Sequence, residues 1–158
     1  MADTQLSPHF WLSEFTTSQT AIRAGISNDP ASLDDLNNLI ATANLLERVR
    51  NDVLGGKSIH VNSAYRGPAV NKLVGGVSTS AHCTGRAVDF TCAGFGTPKE
   101  VCQAIVAAKI PFDQLIYEGT WVHMGIAEPG KAPREQVLTA VFKPGQPTRY
   151  VPGVVDPA

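Results

Sequence analysis

Three residues with metal-ligating side chains, His82, Asp89 and His123, constrain this chain more than any other feature. The first two lie in Ser80-Ala81-His82-Cys83-Thr84-Gly85-Arg86-Ala87-Val88-Asp89 and the third in Trp121-Val122-His123-Met124-Gly125-Ile126. Imidazole and carboxylate both bind zinc, at about 2.0–2.2 Å. The step from His82 to Asp89 is too long for one helical face to offer a shared ligand. It suits a loop that turns at Gly85 and returns as a strand through Ala87, Val88 and Asp89. His123 sits in a short apolar run that reads as a strand. Three protein ligands leave one coordination position for water, as in catalytic zinc sites, whereas structural sites usually close with four. Either histidine alone is explained more simply as a loop or strand residue without a metal. The set of three favours the site.

Local signals surround this set on both sides. Residues 1–30 read as a leader: a flexible start to Pro8, an aromatic anchor at His9-Phe10-Trp11-Leu12, then a short helix capped by Ser18 and stopped by Gly25. Ser32 followed by Asp35 opens the longest amphipathic helix. Its apolar positions are Leu36, Leu39, Ile40, Ala43, Leu46, Val49 and Val53, and it ends near Gly55-Gly56. This stripe reads as core. Ile59, Val61 and Ser63 alternate as a strand, and Pro68 opens a short helix through Leu73. Thr97-Pro98-Lys99-Glu100 is a capping box with proline in the first turn of a helix to about Lys109. Gln136–Phe142 reads as a strand. The Pro/Gly-rich tail, 143–158, reads as poorly ordered. The core is placed at about 31–142, within one domain.

Gln114-Leu115-Ile116-Tyr117-Glu118 and Trp121-Val122-His123-Met124 read as a hairpin joined by Gly119-Thr120, with a type II′ turn. That register pairs Glu118 with Trp121 and Ile116 with His123. Paired residues share a face and side chains alternate along each strand, so Glu118, Trp121 and His123 project together. Glu118 is therefore the candidate general base, the other reading being a solvated hairpin carboxylate. No H-E-x-x-H occurs, so the helical metalloprotease arrangement is absent. Arg66 can grip a carboxylate in a fork or stabilise an oxyanion; the plainer reading is a surface ion pair. Ser80 is a candidate to orient a ligand or cap its loop, and Trp121 to form a substrate wall or core.

The pattern Ser80-x-His82-x-x-Gly85-x-Ala87-x-Asp89, followed by a distant strand histidine, resembles a family of zinc peptidases. These include D-Ala-D-Ala carboxypeptidases and phage L-Ala-D-Glu endolysins, and the hedgehog signalling domain shares their fold. Ser63-Ala64-Tyr65-Arg66 and Asn71 fit the same pattern. Leu12-Ser13-Glu14-Phe15-Thr16 with Ser18-Gln19-Thr20-Ala21 resembles the leader of the phage and bacterial D-Ala-D-Ala type. The resemblance runs from about Phe10 to about Ile126. It implies an α+β fold, a small antiparallel sheet with helices packed on one side, and zinc on His82, Asp89 and His123. It also implies that Arg66 faces the scissile bond. Some members carry Glu three residues before the last zinc histidine; Thr120 stands there in this chain.

The expected function is hydrolysis of peptidoglycan stem peptides, at the D-Ala-D-Ala or the L-Ala-D-Glu bond, by a monomer. The alternative is a zinc-binding module without catalysis, or a phage tail or virion component. With 158 residues and a net charge near −1, the chain has no global field for nucleic acid or an anionic membrane. It shows no basic aromatic pattern, no apolar run long enough to span a bilayer, and no signal peptide in Met1-Ala2-Asp3-Thr4-Gln5. Cytoplasmic synthesis is therefore expected, with action on the wall, in the periplasm or outside, after phage-mediated release. Cys83, Cys92 and Cys102 read as reduced thiols, with a Cys92–Cys102 bridge as the alternative.

Overall fold

The computed structural model describes residues 2–157. The chain begins with β1 (Gln5–Ser7) and β2 (Phe10–Trp11), which pair antiparallel as a separate ribbon. This corrects the expectation of a flexible start. Leu6 and Phe10 are buried in the main core, and Ser7 and His9 bind the Glu47 carboxylate. Two short helices follow, α1 (Leu12–Thr16) and α2 (Gln19–Ala24). Ser18 caps α2 by accepting from the Ala21 N–H, and Gly25 ends it in the left-handed region, as expected.

Ser32 accepts from the Asp35 N–H at the start of α3 (Leu33–Arg48). Leu39, Ala43, Leu46 and Val49 are fully buried, with Leu36, Ile40 and Val53 packed beside them, so the stripe is core. Beyond Arg48 the helix widens into a π-helical turn, Val49–Val53, before Gly55-Gly56. The chain continues through β3 (His60–Ser63), α4 (Pro68–Leu73), a 3₁₀ turn at Ala81–Thr84, and β4 (Ala87–Thr91). Next come α5 (Pro98–Ala108), with both halves of its capping box formed, β5 (Gln114–Tyr117), β6 (Val122–Gly125), β7 (Gln136–Val141) and β8 (Arg149–Pro152).

The main sheet has six strands in the order β3-β4-β6-β5-β7-β8. The fold is α+β, and every neighbouring pair is antiparallel except β5–β7. That parallel pair arises because the connection after β6 returns to the end where β5 begins. Gln136 starts β7 beside Gln114, and Arg134 binds the Asp113 carboxylate at 2.8 Å to hold the connection there. Residues 149–152, expected to be disordered tail, form the edge strand β8, and Lys99 binds Asp156 beyond it at 2.6 Å. Pro152 is tolerated because an edge position does not need its missing N–H.

Strand alternation gives the sheet two distinct faces. Val88, Phe90, Leu115, Val122 and Met124 enter the core with Leu39, Leu46, Val101 and Ile105 of the helices. Asp89, His123, Ile116 and Leu138 occupy the opposite face. Cys83, Cys92 and Cys102 are free thiols, and burial pushes the Cys102 thiol up to about 12. Among the described residues no helix is long and apolar enough to cross a membrane.

Candidate metal centre

The turn that carries His82 is shaped by α3. Asn38 donates to the Thr84 carbonyl and Thr42 to the Gly85 carbonyl, at 2.9 and 2.8 Å. Gly85 has φ 79°, and a Cβ there would lie 2.8 Å from both the Asp35 carbonyl oxygen and Leu39 Cγ. Only glycine allows the turn to lie this close to the helix and still swing into β4. Ser80 accepts from the His82 N–H. The His82 ring donates from Nδ1 to the Ala64 carbonyl at 2.7 Å, which turns the Nε2 lone pair toward Asp89.

Asp89 on β4 and His123 on β6 are direct partners across the ladder and share a face. Asp89 Oδ1 lies 3.0 Å from His123 Nδ1 and 3.3 Å from His82 Nε2. The two imidazole rings are 5.1 Å apart at a 66° angle. One atom from each residue falls within 4.8 Å of the others. Ligand atoms about 2.0–2.1 Å from one tetrahedral zinc lie about 3.3–3.4 Å apart. The separations from Asp89 match such edges closely, so the donor set fits a zinc ion. Burial disfavours the Asp89 carboxylate, but the two histidine rings set against it outweigh that and hold its pKa well below the ordinary range.

The β5–β6 hairpin pairs Ile116 with His123 in the expected register, and the Glu118 N–H donates to the Trp121 carbonyl at 3.1 Å. The turn is not type II′. The Thr120 N–H donates to the Glu118 carbonyl at 2.9 Å, closing a γ-turn on Gly119 with φ 80°. Glu118 stays on the His123 face and its carboxyl is pushed up, chiefly by burial and then by the charge of Asp89. The charges of the two histidines oppose that rise. Trp121 Nε1 is buried beside them without a hydrogen-bond partner among the described residues.

Arg66 leaves the end of β3 and donates from Nη2 to Ser80 Oγ at 3.3 Å, while its Nε is buried and unpartnered. It is therefore not a surface ion pair. Ser80 acts twice, on Arg66 and on the His82 backbone. Asn71 donates to the carbonyls of Gly76 and Val77 and so fixes the loop leading to Ser80. Arg66, Ser80, His82, Asp89, Glu118, Trp121 and His123 all line one cavity of about 520 Å³. Every residue singled out in the sequence is thus brought to one place. Val77, Thr79 and Ala81 of the His82 loop complete the lining with Gln114, Ile116, Leu138 and Tyr150, none of which was foreseen as a site residue. Hairpin register could have found Ile116, and continued alternation into β7 could have found Leu138. Tyr150 had no signal in a segment that reads as coil.

Comparison with curated proteins gave no match. A family profile described as Peptidase M15 matches residues 8–125, which include Arg66, Glu118 and the whole ligand cluster. The match spans most of the chain, and its three-residue cluster has the donor chemistry and spacing that zinc requires. The chain therefore belongs to the Peptidase M15 family and is a zinc metallopeptidase.

Proposed function

We propose that this chain hydrolyses peptidoglycan stem peptides, with zinc held by His82 Nε2, Asp89 and His123 Nδ1. The observation that carries the reading is a single cavity. It combines a three-donor cluster, an adjacent carboxylate and a guanidinium with an unpaired nitrogen. Bound zinc lowers the pKa of a coordinated water and polarises a carbonyl. Glu118 takes the proton that the attacking water loses as its oxygen bonds to the peptide carbonyl carbon. It returns that proton to the amine as the C–N bond breaks. Arg66 supplies two needs: a fork for a substrate carboxylate and positive charge beside a developing oxyanion. The D-Ala terminus and the D-Glu residue of a stem peptide each offer a carboxylate, so both the D-Ala-D-Ala and the L-Ala-D-Glu bonds fit this chemistry.

All of these groups come from one chain, so a monomer suffices. Within this proposal the enzyme meets the wall after release from the cytoplasm by a separate phage-encoded pore. The test is to incubate zinc-loaded protein with purified peptidoglycan and identify new peptide termini by mass spectrometry. Release of terminal D-Ala, or new termini at L-Ala and D-Glu, supports the reading. Zinc-loaded protein that leaves every stem peptide intact would favour a non-catalytic zinc module or a virion component.

A further inference from the structure

The matched family region ends at residue 125, but the cavity does not. Its far wall is built by Leu138 on β7 and Tyr150 on β8. Sheet register explains how an edge-strand residue reaches the centre. Ala140 pairs directly with Tyr150, so the two share a face. One step beyond the Tyr117–Thr139 pair, Glu118 stands beside Ala140. Trp121, Glu118, Ala140 and Tyr150 therefore form one row across four strands. Neighbouring strands are about 4.8 Å apart, so the backbones of Glu118 and Tyr150 are separated by about 10 Å. Between them stands only a methyl group.

Ala140 is on the open face of the sheet and yet is 1% exposed. Tyr150, its partner, is 50% exposed. Tyr150 lines the cavity that also holds Glu118, on the same face as Ala140. Burial raises the pKa of the Tyr150 hydroxyl, and the charges of Glu118 and Asp89 raise it further. The phenol thus stays protonated, a neutral donor on the wall of the cavity. It makes no hydrogen bond among the described residues. Arg66 stands at the β3 end of the cleft and Tyr150 at the β8 end, so a peptide crossing the ligand cluster would run between them.

We propose that Tyr150 is a substrate-binding residue. Its O–H donates to a backbone carbonyl of the bound peptide on the side of the cleft away from Arg66, and its ring with Leu138 and Ile116 forms an apolar seat for a small alkyl side chain such as that of alanine. The C-terminal strand is then part of the enzyme's specificity, not an appendage. This inference rests on the peptidase reading above.

The experiment compares full-length, zinc-loaded wild type, Tyr150→Phe and Tyr150→Ala. The substrates are synthetic peptides, one set ending in D-Ala-D-Ala and one containing L-Ala-D-Glu. Tyr150→Phe keeps the ring and removes only the donor. Its kcat/KM should fall about three- to tenfold, mostly through KM, with zinc content and Tm unchanged. Tyr150→Ala should lose more, because the seat goes too. Two results overturn the inference while leaving the peptidase reading intact: Tyr150→Phe kinetics equal to wild type, or a loss that tracks lost zinc or lost Tm. Wild type that loads zinc but cleaves no peptide in either set overturns the substrate reading and this inference with it.

Discussion

In the proposed mechanism Glu118 serves as a base in a place that disfavours its charge. Burial and the neighbouring Asp89 carboxylate push its proton affinity up, and the two histidines oppose them. A dication on the adjacent ligands would favour the ionised form further. Such a group can take a proton and give it back, as the proposed peptide hydrolysis requires in each turnover. Glu118→Gln keeps the shape and hydrogen-bonding capacity but cannot accept that proton. The expected outcome is a folded, zinc-loaded protein whose kcat falls about 10²–10⁴-fold, with KM changed far less. Steady-state kinetics and metal content measured on the same preparation check this. Undiminished turnover would remove Glu118 from the chemistry. The orphaned Nε of Arg66 is a second residue-scale sign, because a buried guanidinium nitrogen without a partner is costly unless a ligand completes it.

At the scale of elements, α3 organises the site from behind. It buries Leu39 and Leu46 against the sheet, shapes the turn that carries His82 through Asn38 and Thr42, and anchors the first ribbon through Glu47. That last contact gives a pH prediction. Burial raises the pKa of the Glu47 carboxyl, but the His9 ring, the His9 N–H and the Ser7 hydroxyl lower it more, leaving it below its usual value. A group with a depressed folded pKa stabilises the fold above its unfolded pKa and loses that contribution as pH falls through the folded value. Glu47→Gln should therefore cost about 1–3 kcal/mol at neutral pH. The deficit should begin to shrink as pH falls below about 4.3, the ordinary glutamate value, and should be lost only once pH has passed the lower folded value. Urea melts of both proteins at several pH values would show this. A deficit independent of pH would mean that the glutamate matters only for packing.

Across the whole molecule, the parts legible in the sequence are those fixed by local chemistry. The Ser18, Ser32 and Thr97 caps, the apolar stripe of α3 and the hairpin register each depend on residues close in the chain. The ligand set was legible because its residue types are rare and its pattern specific. Three features were hidden. The β5–β7 parallel pairing depends on where a long connection lands, which no local pattern encodes. The β1–β2 ribbon is too short to show alternation. Strand β8 is an edge strand in a Pro/Gly-rich segment, so Arg149-Tyr150-Val151-Pro152 reads as coil until β7 is there to pair with it. The site as a result was read from one side only: its candidate ligands and candidate base were visible, and the wall formed by Leu138 and Tyr150 was not.

The central claim is that β4, β6 and the 3₁₀ turn bring Asp89, His123 and His82 together to hold one zinc. The most direct test is the zinc-to-protein ratio of purified wild type and of His82→Ala, Asp89→Ala and His123→Ala, each checked for native secondary structure by circular dichroism. The account predicts about one zinc per chain in the wild type, falling toward zero in each variant that keeps its fold, because two protein ligands seldom hold the ion firmly. Full zinc occupancy in the three folded variants would contradict it.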